Sequence, residues 1–302
     1  MIDFTNLPRR RKSYAGANGS KIAVVYNDAL YMLKFPGAAR LNQELSYANG
    51  CISEYLGSHI FALAGIPAQE TLLGTYMLNG KEKIVVACKD FTAPGLVLQD
   101  FTSLKNTVLS SESNGTGTEL SDILEAIEHQ TMVDSNLLMR HFWDVFIVDA
   151  LIGNWDRHNG NWGFLYNTVT DEVQIAPIFD CGSCLFPQAD EAIMQAVLDD
   201  PAEKELRIFE RPLSAIRENG QKLNYFDFIS SLKNPDCNAA LKRITPKIRL
   251  NDLRALVDET PFISPLQKEF YYTMLAERKE RILDFSLQKL QKRERKQNRD
   301  AR

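Results

Sequence analysis

Several features that are common in membrane, secreted and nucleic-acid-binding proteins are missing from this chain of 302 residues. No apolar run approaches the length that a membrane-spanning helix needs. The first eight residues are followed by basic residues 9–12, without the apolar segment of a signal peptide. The net charge of −4 gives no general attraction for nucleic acid. We therefore expect no transmembrane segment, no nucleic-acid partner and a cytoplasmic location, unless the protein is exported by a non-classical route.

Cysteine is also scarce, and its pattern excludes a disulfide framework. There are five cysteines, an odd number, and their spacing is not that of a disulfide-rich domain. Reduced thiols in a reducing compartment are the expected state. Cys181 and Cys184 form a single CxxC motif without a second pair or a neighbouring histidine, so we do not expect a zinc site there.

The residues that are present predict a large folded core in two parts. At 44% hydrophobic residues the chain can bury a sizeable core. Strand-like runs with one helix fill residues 1–95, helical patterns dominate residues 96–288, and residues 289–302 form a basic tail. The Ser- and Gly-rich stretch 102–118 is predicted to be a surface loop. The fold class is therefore α+β and bilobal, with a small β-rich N-lobe, a larger mostly helical C-lobe and a ligand cleft between them.

The most informative stretch runs from residue 149 to residue 180. A buried helix is predicted over residues 136–152, and Gly153 can end it with a positive φ. Asp156 and Asn161 follow, five positions apart in a loop rich in Gly and Asn. Two strands, residues 162–166 and 172–179, then form a predicted hairpin, and Asp180 stands just past the second strand. This layout brings three oxygen-bearing side chains to one point.

The same spacing is found in the catalytic loop and metal-binding hairpin of kinases. Asp156 would position the acceptor hydroxyl and receive its proton, while Asn161 and Asp180 would hold Mg²⁺ on the phosphates of ATP. A nucleotide-binding scaffold without turnover and a divalent-metal hydrolase are the alternatives. The scaffold would not require an intact catalytic set, and the hydrolase would leave the N-terminal signals without a role.

Those N-terminal signals are a lysine, a glycine-containing loop and a strand end. Lys34 lies in an apolar strand, where kinases place the lysine that binds the α- and β-phosphates and pairs with a helix glutamate. Glu54, in a helix predicted over residues 45–64, is the expected partner, and Glu44 is a rival. The nucleotide-binding residues that we predict in addition are Gly16, Ala17, Asn18, Gly19 and Ser20 for the phosphates, and Ala87, Cys88 and Lys89 at a hinge facing adenine.

The loop Asn154, Asp156, His158 and Asn161 resembles the N-x-D-x-H-x-x-N loop of the HipA-like serine/threonine kinase family. The likeness extends from about residue 15 to about residue 285 and is greatest to the short members of that family. It implies transfer of the γ-phosphoryl group of ATP to Ser or Thr of proteins, with possible self-phosphorylation, and it adds His158 to the nucleotide-binding set. Longer members act as toxins beside a DNA-binding antitoxin, a partnership that the resemblance does not imply for this chain.

A second likeness provides the runner-up. The letters DRHNGN also resemble the D-R-H-x-x-N loop of phosphoinositide kinases, so a lipid kinase is the main alternative. Two departures from the protein-kinase pattern matter as well: Cys181 replaces the Phe of Asp-Phe-Gly, and no Ala-Pro-Glu element follows. We therefore do not expect regulation by an ordinary activation loop.

Overall fold

The structure is a computed structural model that describes residues 2–14, 21–37, 48–109 and 115–300. It is a mixed α+β fold with an N-terminal β-sheet and a helical C-terminal part, so the predicted fold class is confirmed. Within the described part, none of the helices combines the length and the apolar character that a bilayer span requires.

The N-terminal sheet has six strands in the order β1-β5-β6-β4-β3-β2. Its strands are β1 (Ile2–Asp3), β2 (Arg9–Arg10), β3 (Lys21–Tyr26), β4 (Ala29–Lys34), β5 (Thr71–Leu78) and β6 (Lys81–Lys89). Asn27 and Asp28 both have positive φ and form the turn between β3 and β4. Helix α1 (Gly50–Leu63) packs against β5 and β6. The sheet thus carries Lys34 at the end of β4, on the strand next to β6.

The first strand of this sheet has no sequence signal, because it is only two residues long. Ile2 pairs in parallel with Gly74, and Phe4 is fully buried in the small core on this side of the sheet. A Cβ at Gly74 would lie 2.4 Å from the carbonyl oxygen of Ile2 and 2.4 Å from the Phe4 ring. Glycine at this position therefore allows the N-terminal segment to lie directly on β5.

A second sheet of three strands supports the loop that carries Asp156. It consists of β7 (Leu96–Asp100), β8 (Gly163–Asn167) and β9 (Glu172–Ile175), in that order. The hairpin of β8 and β9 was predicted, but its second strand ends at Ile175 instead of residue 179. The chain leaves this sheet after Ala176, which still donates to Gly163 of β8, because Ile178 exchanges backbone hydrogen bonds with Pro67 and Gln69 beside β5. Asp180 is therefore held by contacts to the N-terminal part.

The predicted loop over residues 102–118 is wrong in its first half. Residues Phe101–Leu109 form helix α2, since Phe101, Leu104 and the aliphatic part of Lys105 are buried along one face. The ammonium group of Lys105 donates to the carbonyl of Gly117 at 2.7 Å. Residues 110–114 lie outside the described part, and Gly115 then begins a short irregular segment.

The remaining helices form the C-terminal part. They are α3 (Leu120–His129), α4 (Ser135–Ile152), α5 (Glu191–Asp199), α6 (Pro201–Glu205), α7 (Tyr225–Ser231), α8 (Pro235–Ile244), α9 (Leu250–Glu259), α10 (Pro265–Arg278) and α11 (Phe285–Asp300). A small hairpin, β10 (Arg217–Glu218) and β11 (Gln221–Lys222), precedes α7. The predicted basic tail is thus a continuation of α11, which remains helical to Asp300.

Helix α4 is central to the main core and determines where the next loop begins. Asp134 caps its N-terminus by accepting from the backbone of Leu137, and Gly153 ends it with φ of 61°. Trp143 is fully buried and stacks on Phe228 of α7. The last turn of α4, residues 149–152, is also buried, directly before the loop of Asp156.

Candidate active site

Lys34, Glu54 and Asp180 meet between the sheet and the helical part. The ammonium nitrogen of Lys34 lies 2.8 Å from Glu54 Oε2 and 2.8 Å from Asp180 Oδ1. Glu54 is buried in α1, whereas the Asp180 side chain is 46% exposed. Burial lowers the pKa of Lys34, but the two carboxylates outweigh it and hold that pKa well above its usual range. Lys34 lowers the pKa of Asp180 to about 2, so this carboxylate is ionised throughout the physiological range.

The backbone on either side of Asp180 is also fixed. Asp180 has a φ of 58°, in the left-handed region that few non-glycine residues adopt. The backbone nitrogen of Cys181 donates to Glu54 Oε1 at 3.1 Å. One glutamate thus binds both the lysine and the residue after Asp180, which orients the aspartate toward the cleft.

Asp156 lies in a loop held by hydrogen bonds from its own neighbours. Its backbone nitrogen donates to Asn154 Oδ1 at 3.0 Å, and its carbonyl accepts from the side-chain amide of Asn161 at 2.8 Å. Its carboxyl group is 42% exposed, and the hydroxyl of Ser183 is 3.5 Å away. Burial raises the pKa of Asp156 above the ordinary value, and Asp180 adds to this rise while His158 opposes it.

Asn161 and Asp180 present the atoms that a magnesium ion requires. The Asn161 amide nitrogen is bound to Asp156, which leaves its carbonyl oxygen as the ligand-type atom. Mg²⁺ prefers oxygen ligands and is usually held by one or two carboxylates together with substrate phosphates. In the described ranges no three His, Cys, Asp or Glu side chains converge on one point, as an all-protein cage would need. The donor set therefore fits Mg²⁺ bound jointly with a nucleotide.

The CxxC motif packs against α1. Cys181 and Cys184 are buried, and the Cys184 thiol donates to the carbonyl of Ser53 at 3.3 Å. Burial raises the pKa of Cys181 to about 12, so its thiol stays protonated. A Cβ at Gly57 would lie 2.7 Å from Cys181 Cβ and 3.0 Å from Cys184 Sγ. The absence of a side chain at Gly57 allows α1 to approach the Asp180 segment.

This close approach makes a direct prediction for Gly57→Ala. The added methyl group forces α1 and the Asp180 segment apart, and we expect the free energy of unfolding to fall by about 1–3 kcal/mol. The affinity for Mg²⁺-ATP should fall as well, because Glu54 moves with the helix. Urea denaturation and calorimetry measure the two effects. The control is Ser53→Ala on the same buried face, which removes a hydroxyl that has no hydrogen-bond partner; equal behaviour of the two variants would contradict the packing argument.

Other predicted nucleotide-binding residues have different outcomes. Gly16, Ala17, Asn18, Gly19 and Ser20 lie outside the described residues, as does the rival glutamate, Glu44. Ala87, Cys88 and Lys89 lie at the end of β6, which pairs with β4 on one side and β5 on the other, and their place at an adenine hinge stays a prediction. Their backbone groups are engaged in the sheet, and the chain leaves it only after Lys89.

The backbone nitrogen of His158 donates to the Asp156 carbonyl at 2.7 Å, but the His158 ring does not form a hydrogen bond with the Asp156 carboxylate. Its Nε2 atom is 4.0 Å from Asp156 Oδ1, and its Nδ1 atom accepts from the backbone of Gly160 at 3.0 Å. The ring thus caps the short 3₁₀ turn Asn159–Asn161, with nearly half of the side chain exposed. It remains a predicted nucleotide-binding residue.

Sequence reasoning missed the residues that anchor this loop from behind. Arg157 and Asp149 are buried and form an ion pair at 3.1 Å. Asn154 donates to Asp149 at 2.9 Å, and the hydroxyl of Tyr225 donates to the carbonyl of Asn154 at 2.6 Å. Asp149 and Arg157 are eight positions apart on either side of a helix end, and no helix or strand period predicts that such residues meet. The only available signal was an arginine and an aspartate inside an otherwise apolar or Gly-rich stretch.

A sheet lysine paired with a helix glutamate, an aspartate in a fixed loop, and an asparagine and a second aspartate beside it define the protein-kinase class of fold and site. The HipA-like C-terminal domain matches residues 12–248, and the chain belongs to this family. The serine/threonine-protein kinase CtkA of Helicobacter pylori is 50% identical over 285 residues, which are 94% of this chain and 86% of that protein.

Two solved structures extend this comparison. The crystal structure of the H. pylori proinflammatory kinase CtkA superposes with a TM-score of 0.91 at 48% identity, covering 96% of this chain and 98% of that one. A chain of the Shewanella oneidensis MR-1 toxin–antitoxin complex of HipA, HipB and operator DNA gives a TM-score of 0.54 at 14% identity. It covers 91% of this chain and 66% of that one, and it shows the fold alone.

Proposed function

We propose that this protein is a serine/threonine-protein kinase that transfers the γ-phosphoryl group of ATP to a protein hydroxyl. The observation that carries the proposal is the assembly of Lys34, Glu54, Asp156, Asn161 and Asp180 around one cleft. Half of the residues are shared with a serine/threonine-protein kinase over nearly the whole chain. A scaffold without turnover would not require this set to stay intact.

Each residue of the cleft has a role in this proposal. Lys34 binds the α- and β-phosphates, and Glu54 holds the lysine in place. Asn161 and Asp180 hold Mg²⁺, which supplies neutralisation of the charge that develops on the phosphates. Asp156 orients the acceptor hydroxyl and receives its proton. Its carboxylate is partly exposed and close to Asp180, as a base facing an incoming protein side chain needs to be.

Lys34 has to change partners for this function. Its ammonium group contacts Asp180 directly, and a nucleotide phosphate would compete with that carboxylate for the same cation. A phosphate would not displace Glu54 from Lys34, because Glu54 is buried. Its Oε2 atom accepts from Lys34, while its Oε1 atom accepts from the backbone nitrogen of Cys181. The lysine can therefore turn to the nucleotide while it remains tied to α1.

The acceptor is proposed to be a protein segment that is neutral or basic. Residues 158–203 contain no Lys or Arg and several acids. Some of these acids have local roles: Asp190 and Asp200 cap helices α5 and α6, and Glu203 lies 3.6 Å from Arg207. Their charge nevertheless disfavours an anionic phosphoinositide headgroup.

Protein and lipid acceptors can be separated in one assay. Purified protein with labelled ATP and Mg²⁺ should label histone or myelin basic protein on Ser or Thr, and phosphoinositide vesicles should stay unlabelled. Asp156→Ala is the blank that identifies transfer by this site. Phosphorylation of the lipid that depends on Asp156, without transfer to any protein, would contradict the proposal.

We also propose that the protein phosphorylates itself on exposed Ser and Thr residues. Ser13 is exposed, as are Ser103 and Thr107 on α2, whereas Ser20 lies outside the described residues. Mass spectrometry of the same reactions would detect phosphate on these residues.

We also propose that the N-lobe ends at residue 95 and the C-lobe at residue 288. We propose a cytoplasmic location as well, and the five buried, unpaired cysteines support it.

A further inference from the structure

One buried arginine, Arg157, contacts the loop of Asp156 and Asn161, the Asp180 segment and the helix that carries Glu54. The guanidinium of Arg157 donates to both oxygens of Asp149 on α4, at 3.1 Å through Nε and 3.3 Å through Nη2. Its Nη1 atom donates to the carbonyl of Asn161 at 2.9 Å and to that of Phe179 at 2.6 Å. Nη2 also donates to the Cys181 thiol at 3.4 Å.

These contacts bracket the two residues that would hold the metal. Phe179 and Cys181 are the neighbours of Asp180 on either side, and the third contact is to the backbone of Asn161 itself. The guanidinium also lies over the ring of Phe61 in α1, 5.5 Å from the ring centroid. The guanidinium of Arg157, a rigid planar group, thus contacts Asn161, both neighbours of Asp180 and the helix of Glu54.

Many kinases assemble this region only after an activation loop is phosphorylated, because the phosphate pairs with an arginine. In this chain the counter-charge of Arg157 comes from Asp149, which is 2% exposed and is part of α4. Asn154 donates to the same carboxylate, so its oxygens are well satisfied. No modification is needed to complete this network.

We propose that Arg157 is a positioning residue that aligns the loop of Asp156 and Asn161 with the Asp180 segment, and that Asp149 provides internally the charge that a phosphate provides elsewhere. The inference deepens the proposed function, since it concerns the same cleft. Calorimetry of Mg²⁺-ATP binding tests this inference separately from the proposed function, because it reports the alignment of Asn161 and Asp180 even if no acceptor protein is ever phosphorylated.

The test uses Arg157→Lys and Arg157→Met, with Arg243→Met as the matched control. Arg243 pairs with Asp144 on the same helix α4 but contacts no loop of the cleft. Arg157→Lys keeps the positive charge but loses the planar guanidinium and its several hydrogen bonds. We expect it to lower kcat about 100-fold, since a misplacement of catalytic groups by about 1 Å has effects of that size. Its Kd for Mg²⁺-ATP should rise about 10-fold, while the control changes the Tm alone.

A double variant separates positioning from simple stabilisation. Removing one partner of a buried ion pair is strongly destabilising, whereas replacing both by apolar residues is often tolerated. Asp149→Leu/Arg157→Met should therefore recover Tm relative to Arg157→Met but not kcat or Mg²⁺-ATP affinity. Recovery of all three together would overturn the proposal. So would Arg157→Lys with parental kcat and Kd, and this variant decides the matter if Arg157→Met does not fold.

The second half of the inference concerns phosphate on the protein. Protein treated with phosphatase and shown by intact mass to carry no phosphate should reach its full initial rate without a lag. A lag that disappears after preincubation with Mg²⁺-ATP would show that modification is required and would overturn the role of Asp149.

Discussion

Asp180→Asn should lose Mg²⁺-dependent nucleotide binding and, with it, phosphoryl transfer. The variant keeps the size of the side chain, and asparagine accepts the positive φ of 58° at this position, so the fold should be retained. It removes a carboxylate that is 46% exposed and whose pKa Lys34 lowers to about 2. We expect transfer to fall by about 10³-fold or more, because a metal ion is worth several kcal/mol in the transition state.

Titration of Mg²⁺ at fixed ATP, followed by calorimetry, measures this loss. The matched control is Asp134→Asn, the same chemical change at the N-cap of α4, where asparagine caps as well as aspartate does. The control should keep the parental Mg²⁺ dependence. A parental Mg²⁺ titration in Asp180→Asn would remove Asp180 from the metal site.

Asp156→Asn should lower kcat and leave Mg²⁺-ATP binding nearly unchanged. In the proposed mechanism the Asp156 carboxylate faces the acceptor, so its loss would remove the proton acceptor without removing a metal ligand. General-base catalysis contributes typically about 10²–10⁴-fold, and we expect a decrease in that range. Full transfer activity would exclude Asp156 as the base, and an equal loss of nucleotide affinity would show that it acts on the metal instead.

The pH dependence of the parent protein provides an independent check on the same residue. Asp156 must be ionised to accept a proton, and burial raises its pKa. Activity is therefore present above this raised pKa and is lost as the pH falls through it. The acidic limb of the kcat/KM profile should lie at a higher pH than an ordinary aspartate would give, and a limb at or below the ordinary value would contradict the assignment.

The parts of the fold that were predicted are those with strong local signals. Helix α4 has a continuous apolar pattern and a glycine at its end, and the structure places its C-cap at Gly153 with the positive φ that was expected. The hairpin after Asn161 follows from alternating residues on either side of a polar turn. These elements flank the loop that carries Asp156 and Asn161, so the proximity of the two residues could be derived from spacing alone.

What could not be predicted depends on contacts between distant parts of the chain. Helix α2 was read as loop because Ser and Gly residues after it dominate the composition, while its helical face rests on few apolar residues. The two-residue strand at Ile2 exists only because Gly74 leaves room for it. Arg157 was missed because its partners lie on α4, in the 3₁₀ turn and beside Asp180, and no sequence period joins them.

The left-handed backbone conformation at Asp180 has a cost in stability, at a residue whose side chain is proposed to bind the metal. Glycine adopts such a conformation without the steric penalty that an aspartate side chain meets, which is about 1 kcal/mol or more. Glycine at position 180 would remove this penalty but would also remove the ion pair with Lys34, so the strain at Asp180 is offset by a contact that only the carboxylate makes. A non-glycine residue in this conformation is expected where the side chain itself is needed, as the proposed role of Asp180 in metal binding requires.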